Sequence, residues 1–465
     1  SFGWTGWWYI FDFLLGVSVI YLVYYIWVHR DEMKNGLPTF IKQKAILNTI
    51  IFVPLFLITA GISVTYFYDF NNFAGFATNP IGFSKLKEVG ITKIWPNVYT
   101  TVAEQNPASL NSVIDQVGLG KFYLLVIALI GISLTLRFPD SRKWIFVSIA
   151  AAWYLGVFLI KVSSLNTFLI LISMPIVIAV LYAFYKADPD TDIKYALLLM
   201  IWFLATTYAS TKGIRFIMIL VPVFALGLGV ALGELYKYLK ESIAKYLHIN
   251  KTVALIISLF FVLLILGSVP VPKILCEGEK KLPGTQNWCN AYNIATNEIP
   301  SFDDGWFNAL DKIRRESQPN AIISSWWDFG HWFKYWADRP VTFDGTSQNT
   351  AQAHWIGRAL ITDDEKLAVG ILRMLDCGER EGFNLVNKKT IDGKEAVDML
   401  YMILNKSRKE AQSILQESGK FDNAEILAIL DKTHCENPPE AFFITSDDMI
   451  GKSGVWAHFG SWDFE

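Results

Sequence analysis

The chain is poor in charged residues, which make up 18% of its 465 positions, whereas about 25% is usual in soluble proteins. Its net charge of −2 gives no basic surplus of the kind that binds nucleic acid. The first 270 residues contain no cysteine and hold nearly all of the long apolar runs, and charge concentrates after them. The sequence therefore predicts a membrane domain followed by a soluble domain.

The four cysteines all follow Pro270: Cys276, Cys289, Cys377 and Cys435. Their spacing is not that of a zinc site. Cys276 and Cys289 bracket a loop rich in Gly, Pro and Lys, and they are the first candidate pair for a disulfide. Cys377 and Cys435 are a second candidate pair. Because disulfides persist in oxidising compartments, this part of the chain is expected outside the cytoplasm.

Eight segments have the apolar length that a membrane-spanning helix needs, about 20 residues. Their approximate bounds are 7–28, 45–66, 121–137, 144–161, 165–185, 195–210, 214–236 and 252–270. None shows an amphipathic heptad pattern. We therefore predict a transmembrane domain over 1–270, with about eight spans and a large outer loop at 67–120.

Basic residues in alternate loops orient the spans. One set of loops carries His29, Arg30, Lys34, Lys42, Lys44, Arg137, Arg142, Lys143, Lys186, Lys194, Lys237, Lys240, Lys245 and Lys251. Loops rich in Lys and Arg face the cytoplasm, so the 67–120 loop and everything after Pro270 are expected outside. The chain would also begin outside, yet Ser1–Gly6 lacks the features of a signal peptide. Further spans are therefore expected upstream of Ser1.

The remainder, 271–465, mixes two kinds of pattern. Region 363–418 looks helical, whereas Ala321–Ser324 and Ala441–Thr445 look like buried strands that lead into polar loops. We expect a mixed α/β soluble domain without internal repeats.

The pentapeptide Trp326-Trp327-Asp328-Phe329-Gly330 directly follows the first of these predicted strands. An Asp beside two Trp residues can accept a hydrogen bond in a partly dry pocket that fits a small hydroxyl-bearing side chain. A purely structural aromatic cluster is the alternative interpretation.

Two further features lie on the predicted outer face. Thr101-Val102-Ala103-Glu104 lies in the long loop, where Glu104 is either a solvated residue or a carboxylate that reaches a metal or an amide. Arg215 lies at the outer end of a span. Its charge either extends to the interface or binds a phosphate through two hydrogen bonds.

Together these features resemble the catalytic subunit of oligosaccharyltransferase, of the archaeal type. Trp326–Gly330 is similar to the family's WWDYG motif, with Phe329 in place of Tyr, and Thr101–Glu104 resembles its TIxE motif. Arg215 matches the arginine that contacts the lipid pyrophosphate. Met449, Lys452 and Trp456 resemble the MI/DK-type motif in spacing, although the lysine mixes two variants of it.

The resemblance implies a GT-C-like polytopic membrane enzyme of N-glycosylation. Such enzymes transfer a preassembled oligosaccharide from a dolichyl or other polyprenyl (di)phosphate to the Asn of Asn-X-Ser/Thr in acceptor proteins. It further implies that Glu104 and Asp328 are catalytic and that Arg215 binds the (pyro)phosphate. Trp326, Trp327 and Asp328, with Met449 and Lys452 behind them, would hold the Ser/Thr hydroxyl. The protein would be located in an archaeal cell membrane.

The same resemblance implies a cofactor, Mn²⁺ or Mg²⁺, with Glu104 as a possible ligand. Two acidic DxD-type motifs that supply most ligands in the family are not found in this sequence, and they are expected upstream of Ser1. The run Asp188-Pro189-Asp190-Thr191-Asp192 is acidic but falls in a predicted cytoplasmic loop, so we interpret it as a solvated turn.

Two rival hypotheses remain open at this stage. One is another polyprenyl-phosphate-sugar-dependent membrane glycosyltransferase, similar to a protein O-mannosyltransferase, which would not need the Trp-Trp-Asp pocket. The other is a non-enzymatic transporter or scaffold, although inverted repeats and intramembrane charges, frequent in transporters, are not evident. Two sequons also occur, at Asn405 on the predicted outer side and at Asn250 on the predicted inner side.

Overall fold

The computed structural model describes residues 8–36, 40–82, 94–96, 106–138, 142–160, 162–276, 283–297, 301–347 and 351–464. The chain divides into two compact units. The first comprises Ser1–Lys85 and Ala103–Glu298, and the second comprises Leu86–Val102 and Ile299–Glu465.

The first unit is helical throughout its described part. Its helices are α1 (Trp8–Val28), α2 (Lys44–Phe67), α3 (Phe70–Gly82), α4 (Leu110–Val117), α5 (Phe122–Leu134), α6 (Arg142–Leu159), α7 (Leu165–Lys186), α8 (Lys194–Lys212), α9 (Ile217–Tyr246), α10 (Lys251–Leu266) and α11 (Gln286–Asn297). Each of the eight predicted spans coincides with one of these helices, namely α1, α2 and α5 to α10.

Not all eight helices have the length of a complete span. Among the described residues, four are long and apolar enough to cross a membrane: Tyr9–Val28, Ile46–Phe67, Leu165–Lys186 and Ile214–Tyr246. Helices α4 and α5 meet at 80° and add a fifth span if they are counted together. Alone, the 13 residues of α5 reach about 20 Å, less than the hydrocarbon core of about 30 Å. By these helices the chain is an integral membrane protein.

Helices α5 and α9 pack with their backbones almost in contact. A Cβ added to Gly131 would lie 1.7 Å from the carbonyl oxygen of Gly227, and one added to Gly227 would lie 2.5 Å from that of Ala128. Small residues permit this approach, which is a common basis of helix association in membranes. By contrast, α2 exposes large apolar side chains such as Ile58 and Ile62, as expected of a lipid-facing helix.

Two of the loops predicted on the cytoplasmic side contact each other. The backbones of Arg137 and Asp192 exchange hydrogen bonds of 3.1 and 3.0 Å. The Tyr24 hydroxyl at the end of α1 donates to the carbonyl oxygen of Thr191. The acidic run 188–192 is therefore a turn that joins the ends of three helices, and Asp192 pairs with Lys194 at 2.6 Å.

The first unit continues past Pro270, where the sequence analysis placed the domain boundary. Cys276 and Cys289 form a disulfide. The Asn287 amide donates to the carbonyl oxygen of Leu266, and the Trp288 indole donates to that of Val271. These bonds fold the disulfide-closed segment back onto the end of α10, so the compact units divide after Glu298 rather than at Pro270.

The second unit is mainly helical around a very small parallel sheet. Its elements are α12 (Asp304–Glu316), β1 (Ile322–Ser324), α13 (Ala351–Ile361), α14 (Glu365–Gly378), α15 (Glu381–Asn387), α16 (Gly393–Leu404), α17 (Arg408–Glu417), α18 (Asn423–Thr433), β2 (Ala441–Phe443), α19 (Asp447–Gly451) and α20 (Ser453–Gly460). The strands pair in the register Ile322↔Ala441 to Ser324↔Phe443. Both predicted strands and the helical region are thus confirmed. The expectation that both strands are buried was wrong for β2, in which Ala441 and Phe443 are exposed and only Phe442 is partly buried, because successive side chains of a strand point to opposite sides.

Aromatic side chains and a second disulfide hold this unit together. Cys377 at the end of α14 is bonded to Cys435 after α18. Trp95, from the long loop that the sequence analysis assigned to the membrane domain, packs in this unit against Phe383 and Phe464 with ring centroids 4.7 and 5.6 Å away. The loop is therefore divided between the units, because its middle carries a large apolar side chain that fits this aromatic core.

Candidate functional site at the carboxyl ends of the parallel strands

The Trp-Trp-Asp-Phe-Gly segment forms the turn that follows β1. Trp327–Phe329 is a short 3-10 helix, and Gly330–Trp332 continues as one helical turn. Trp326 is 1% exposed and packs edge-to-face on Phe343, with ring centroids 5.3 Å apart. Trp327 and Asp328 remain partly exposed. The first Trp is therefore an anchor, and the next two side chains face the surface.

Gly330 is required by a close backbone approach. A Cβ at this position would lie 2.5 Å from the Cβ of Asp344 and 2.6 Å from the carbonyl oxygen of Phe343. Burial alone would raise the pKa of the Asp344 carboxyl, but hydrogen bonds from Lys334 and Thr346 outweigh it and hold this pKa well below the usual range. Phe343 and Asp344 thus support the turn from behind.

Strand β2 leads into the second part of the site. Because β1 and β2 are parallel, the turns that follow them lie at the same edge of the sheet. Lys452 Nζ lies 3.3 Å from Asp328 Oδ2 and 2.9 Å from Asp448 Oδ2. The same ammonium group lies 5.6 Å from the centre of the Phe329 ring. Residues more than 120 positions apart are therefore neighbours.

Met449 occupies the buried side of this arrangement and is 3% exposed. Its sulfur lies 3.9 Å from the Ser325 hydroxyl, and its carbonyl oxygen accepts a hydrogen bond of 3.1 Å from the Trp456 indole. We refer to Trp327, Asp328, Met449 and Lys452 as the strand-end cluster. Its exposed groups are an indole face, a carboxylate and an ammonium, a set that can bind a small polar side chain.

The charges in the cluster stabilise each other. Burial by itself lowers the pKa of Lys452, but the hydrogen bond to Asp448 and the charge of Asp328 outweigh it, so the pKa is raised. For Asp448, burial raises the pKa, and hydrogen bonds from Ser446 and Lys452 more than reverse this. Lys452 is therefore charged at neutral pH and holds the Asp328 carboxylate in place.

Arg215 lies in the first unit, in the 3-10 turn Ile214–Phe216 between α8 and α9, and is partly exposed. Two backbone hydrogen bonds join this turn and the last residues of α8 to the end of the long outer loop. Ala108 N donates to Thr211 O at 3.2 Å, and Ile214 N donates to Asn106 O at 3.1 Å. Asn106 and Ala108 of this loop are thus tied to the turn that carries Arg215 and to the end of α8. Glu104 itself, two positions before Asn106 in the sequence, lies outside the described residues, as does the rest of Thr101–Glu104.

Comparison with known proteins gives a match over the second unit. Residues 319–465 match the family model described as the STT3/PglB/AglB core domain. The second unit is therefore similar to this core domain. The match includes β1, β2 and all four residues of the strand-end cluster.

Two relatives that share one name extend the similarity to the whole chain. A dolichyl-phosphooligosaccharide-protein glycotransferase of Methanococcus voltae is 30% identical, with 100% of this chain and 52% of that protein covered. One from Methanocaldococcus jannaschii is 28% identical, with 99% of this chain and 49% of that protein covered. The chain thus spans about half the length of the curated relatives it matches.

The described part of the chain does not form a metal site. Within those residues, no group of three or more His, Cys, Asp or Glu side chains is placed to hold a metal ion. Asp188–Asp192, the acidic run, forms a turn between helices instead. The predicted ligand Glu104 lies outside the described residues, so the Mn²⁺ or Mg²⁺ site stays a prediction.

One histidine of the core domain is structural. The ring nitrogens of His354 are 2.8 Å from the carbonyl oxygen of Phe459 and 2.6 Å from the hydroxyl of Tyr401. Burial lowers its pKa to about 4, so the ring is neutral in the folded protein.

The residue that sequence reasoning gave no role is Asp448, which shares Lys452 with Asp328. The i, i+4 spacing of Asp448 and Lys452 could have indicated this pair.

Proposed function

We propose that this protein transfers a preassembled oligosaccharide from a dolichyl or other polyprenyl (di)phosphate to the Asn of Asn-X-Ser/Thr sequons. The observation that carries the proposal is the strand-end cluster. The sequence analysis predicted from the resemblance that Trp326–Asp328 and Met449–Lys452 serve one pocket, and the parallel strands make them neighbours. The name that the relatives from Methanococcus voltae and Methanocaldococcus jannaschii share supports the same reaction.

The cluster would bind the hydroxyl of the sequon Ser or Thr. Asp328 is positioned by Lys452 and accepts the hydroxyl proton in a hydrogen bond, while the partly exposed Trp327 packs on the side chain. A site built to hydrogen-bond a hydroxyl rejects an analogue that lacks it, because its own polar groups would then be left unpaired. Buried Trp326 and Met449 keep this pocket rigid.

Arg215 would bind the phosphate of the lipid carrier. A guanidinium offers two parallel donors to phosphate oxygens and keeps its charge at any physiological pH. As the acceptor amide nitrogen bonds to the anomeric carbon, the bond from that carbon to the phosphate oxygen breaks, and negative charge grows on the leaving phosphate. A fixed cation at this position stabilises that charge.

Glu104 would engage the N–H groups of the acceptor amide, which is a poor nucleophile without such help. Support comes from Asn106, which follows it closely in sequence and is bonded to the turn that carries Arg215. A divalent cation would supply further charge neutralisation at the phosphate. Because the described residues form no metal site, none of the steps above is derived through it.

The orientation in the membrane is part of the proposal. The disulfides Cys276–Cys289 and Cys377–Cys435 favour an oxidising compartment for the residues after Pro270, and the basic loops favour the cytoplasm for the opposite end. The core domain and the acceptor proteins would then be outside an archaeal cell membrane.

The test uses the full-length protein with lipid-linked oligosaccharide, Mn²⁺ and labelled peptides. We expect transfer to an Asn-X-Thr peptide and none to Asn-X-Ala. Asp328→Ala should abolish discrimination between these peptides together with most activity, whereas Asp398→Ala, at an exposed position of α16 in the same unit, should behave as wild type. Robust, sequon-specific transfer by Asp328→Ala would make the cluster structural. Modification of Ser or Thr hydroxyls instead of Asn would indicate an O-mannosyltransferase-like enzyme.

A further inference from the structure

A basic groove lies at the C-terminal end of α9, whereas Arg215 precedes the N-terminal end of the same helix. Residues Ile217–Gly233 of α9 contain no charged side chain, and charge begins at Glu234. Beyond that point α9 turns back through a short loop into α10. Six residues line a cavity of about 370 Å³ at this junction: Lys240, Glu241, Ala244, Lys245, Ile249 and Lys251.

The lining carries three lysines against one glutamate. Within the described part of the chain, no carboxylate lies within 4.0 Å of Lys240, Lys245 or Lys251, whereas their neighbour Lys237 is paired with Glu234 at 3.1 Å. Lys245 and Lys251 are exposed, and Lys240 is half-buried. Three lysines against a single glutamate give the cavity a net positive charge, which suits an anion.

The surface next to the groove is apolar. From Val253 onward α10 contains no charged residue, and Val253, Ile256 and Phe260 are 47%, 61% and 50% exposed. Tyr246 and Leu247 at the turn are 75% and 61% exposed. Tyrosine and leucine at this position are typical of a membrane interface. The anion site therefore continues directly into a surface suited to hydrocarbon chains.

We propose that this groove binds the headgroup of an anionic membrane phospholipid, with its hydrocarbon chains along the exposed face of α10. The phosphate is held by Lys240, Lys245 and Lys251, and Glu241 disfavours headgroups with a second negative charge nearby. This site is separate from the glycosyl-transfer chemistry, and it would anchor the α9–α10 hairpin at the membrane surface.

Binding can be measured with the full-length protein in a neutral detergent, through the shift in thermal unfolding followed by tryptophan fluorescence. The ligands are a phosphatidylglycerol, a phosphatidylcholine and inorganic phosphate. Each lysine near an anionic surface contributes about fivefold in affinity at low salt, so Lys240→Gln/Lys251→Gln should weaken phosphatidylglycerol binding about 30-fold. Lys237→Gln, which removes a paired lysine from the same helix, is the matched control and should bind like wild type.

The proposal predicts that the phosphatidylglycerol effect weakens in high salt and survives in Lys240→Arg/Lys251→Arg. It is overturned if the double Gln variant, folded as judged by its unfolding midpoint without lipid, binds phosphatidylglycerol as tightly as wild type. Equal stabilisation by inorganic phosphate would identify a free-anion site instead, and equal stabilisation by phosphatidylcholine would show binding without charge recognition.

Discussion

Lys452 Nζ lies 3.3 Å from a carboxylate oxygen of Asp328, which precedes it by 124 positions. This pair joins the two turns that follow the parallel strands, and Asp448 holds the same ammonium group from the other side at 2.9 Å. Because the pair is partly exposed, it adds little to stability, and its role is to orient the Asp328 carboxylate. Partly exposed ion pairs contribute about 1 kcal/mol or less.

Replacing Lys452 should therefore weaken acceptor recognition without unfolding the domain. We expect Lys452→Ala to raise the KM for an Asn-X-Thr peptide about fivefold, in keeping with the loss of one such pair. The KM for the lipid-linked oligosaccharide should not change. Lys420→Ala, which removes another ion pair of the same unit, with Glu395, is the control. A change confined to the KM of the lipid substrate would contradict the role assigned to the cluster.

Arg215 should affect the reaction through the lipid-linked oligosaccharide rather than through the acceptor peptide. Arg215→Ala should lower transfer about 100-fold, the usual order for losing a group that stabilises developing charge. Arg215→Lys should recover part of this, since the charge remains but the paired donors are lost. Lys212→Ala, three residues earlier and exposed, is the matched control. The measurement is the initial rate at saturating acceptor peptide with the lipid-linked oligosaccharide varied. Equal rates for Arg215→Ala and Lys212→Ala would show that Arg215 does not bind the lipid phosphate.

Two buried histidines should make the core domain less stable in acid. Burial lowers the pKa of His354 from 6.5 to about 4, and burial with the nearby Arg373 does the same for His434. Since folding favours the neutral rings, their stabilisation is complete above about pH 6.5 and is lost as the pH falls toward 4. At pH 5 the loss is about 2 kcal/mol for each histidine.

Unfolding of wild type and His354→Gln, compared at pH 7 and pH 5, tests this assignment. The variant should be less stable at pH 7 and should lose less stability on acidification. The control is His458→Gln, because His458 is exposed on α20. An unchanged pH dependence in His354→Gln would show that this ring is not the titrating group.

The disulfide with the larger loop should stabilise the protein more. Cys377–Cys435 closes 58 positions and Cys276–Cys289 closes 13. Loop-closure entropy gives about 4 kcal/mol for the first and about 3 kcal/mol for the second. We expect Cys377→Ala/Cys435→Ala to unfold at lower denaturant concentration than Cys276→Ala/Cys289→Ala. The reverse order would mean that strain or packing outweighs the entropic term.

The sequon at Asn405 should be a poor acceptor once the core domain has folded. The Asn405 amide nitrogen donates to Asp364 at 3.1 Å, and the Ser407 hydroxyl donates to Glu410 at 2.7 Å in the capping box of α17. Both groups that a glycosylating enzyme must engage are therefore occupied. A peptide of residues 400–412 cannot hold these contacts, because isolated short helices are unstable in water.

Mass spectrometry of both acceptors after incubation with an active oligosaccharyltransferase measures this difference. The peptide should be modified at Asn405 much faster than the folded chain. Glu410→Ala in the folded chain should reduce this difference in rate. In the chain isolated from cells, glycan at Asn250 and none at Asn405 would overturn the proposed orientation in the membrane.

The sequence by itself determined the apolar spans, the helical region and the two strands, because these depend on local hydrophobic patterns that water or lipid selects in any fold. It also predicted site residues: Trp327, Asp328 and Lys452 from short motifs, and Arg215 from its place at the outer end of a span and from the resemblance. The helix-forming character of the eight spans was confirmed, although α5 ends at Leu134, before the predicted bound, because Arg137 forms a β-bridge with Asp192.

Only the tertiary structure decided which distant residues meet. Parallel pairing of β1 with β2 brings Lys452 to Asp328, and a backbone hydrogen bond ties Asn106 to the turn of Arg215. The division of the outer loop at Trp95 and the extension of the first unit to Glu298 were likewise absent from local patterns. Such contacts depend on strand order, close packing and chain reversal across tens of residues, which hydrophobic periodicity does not encode.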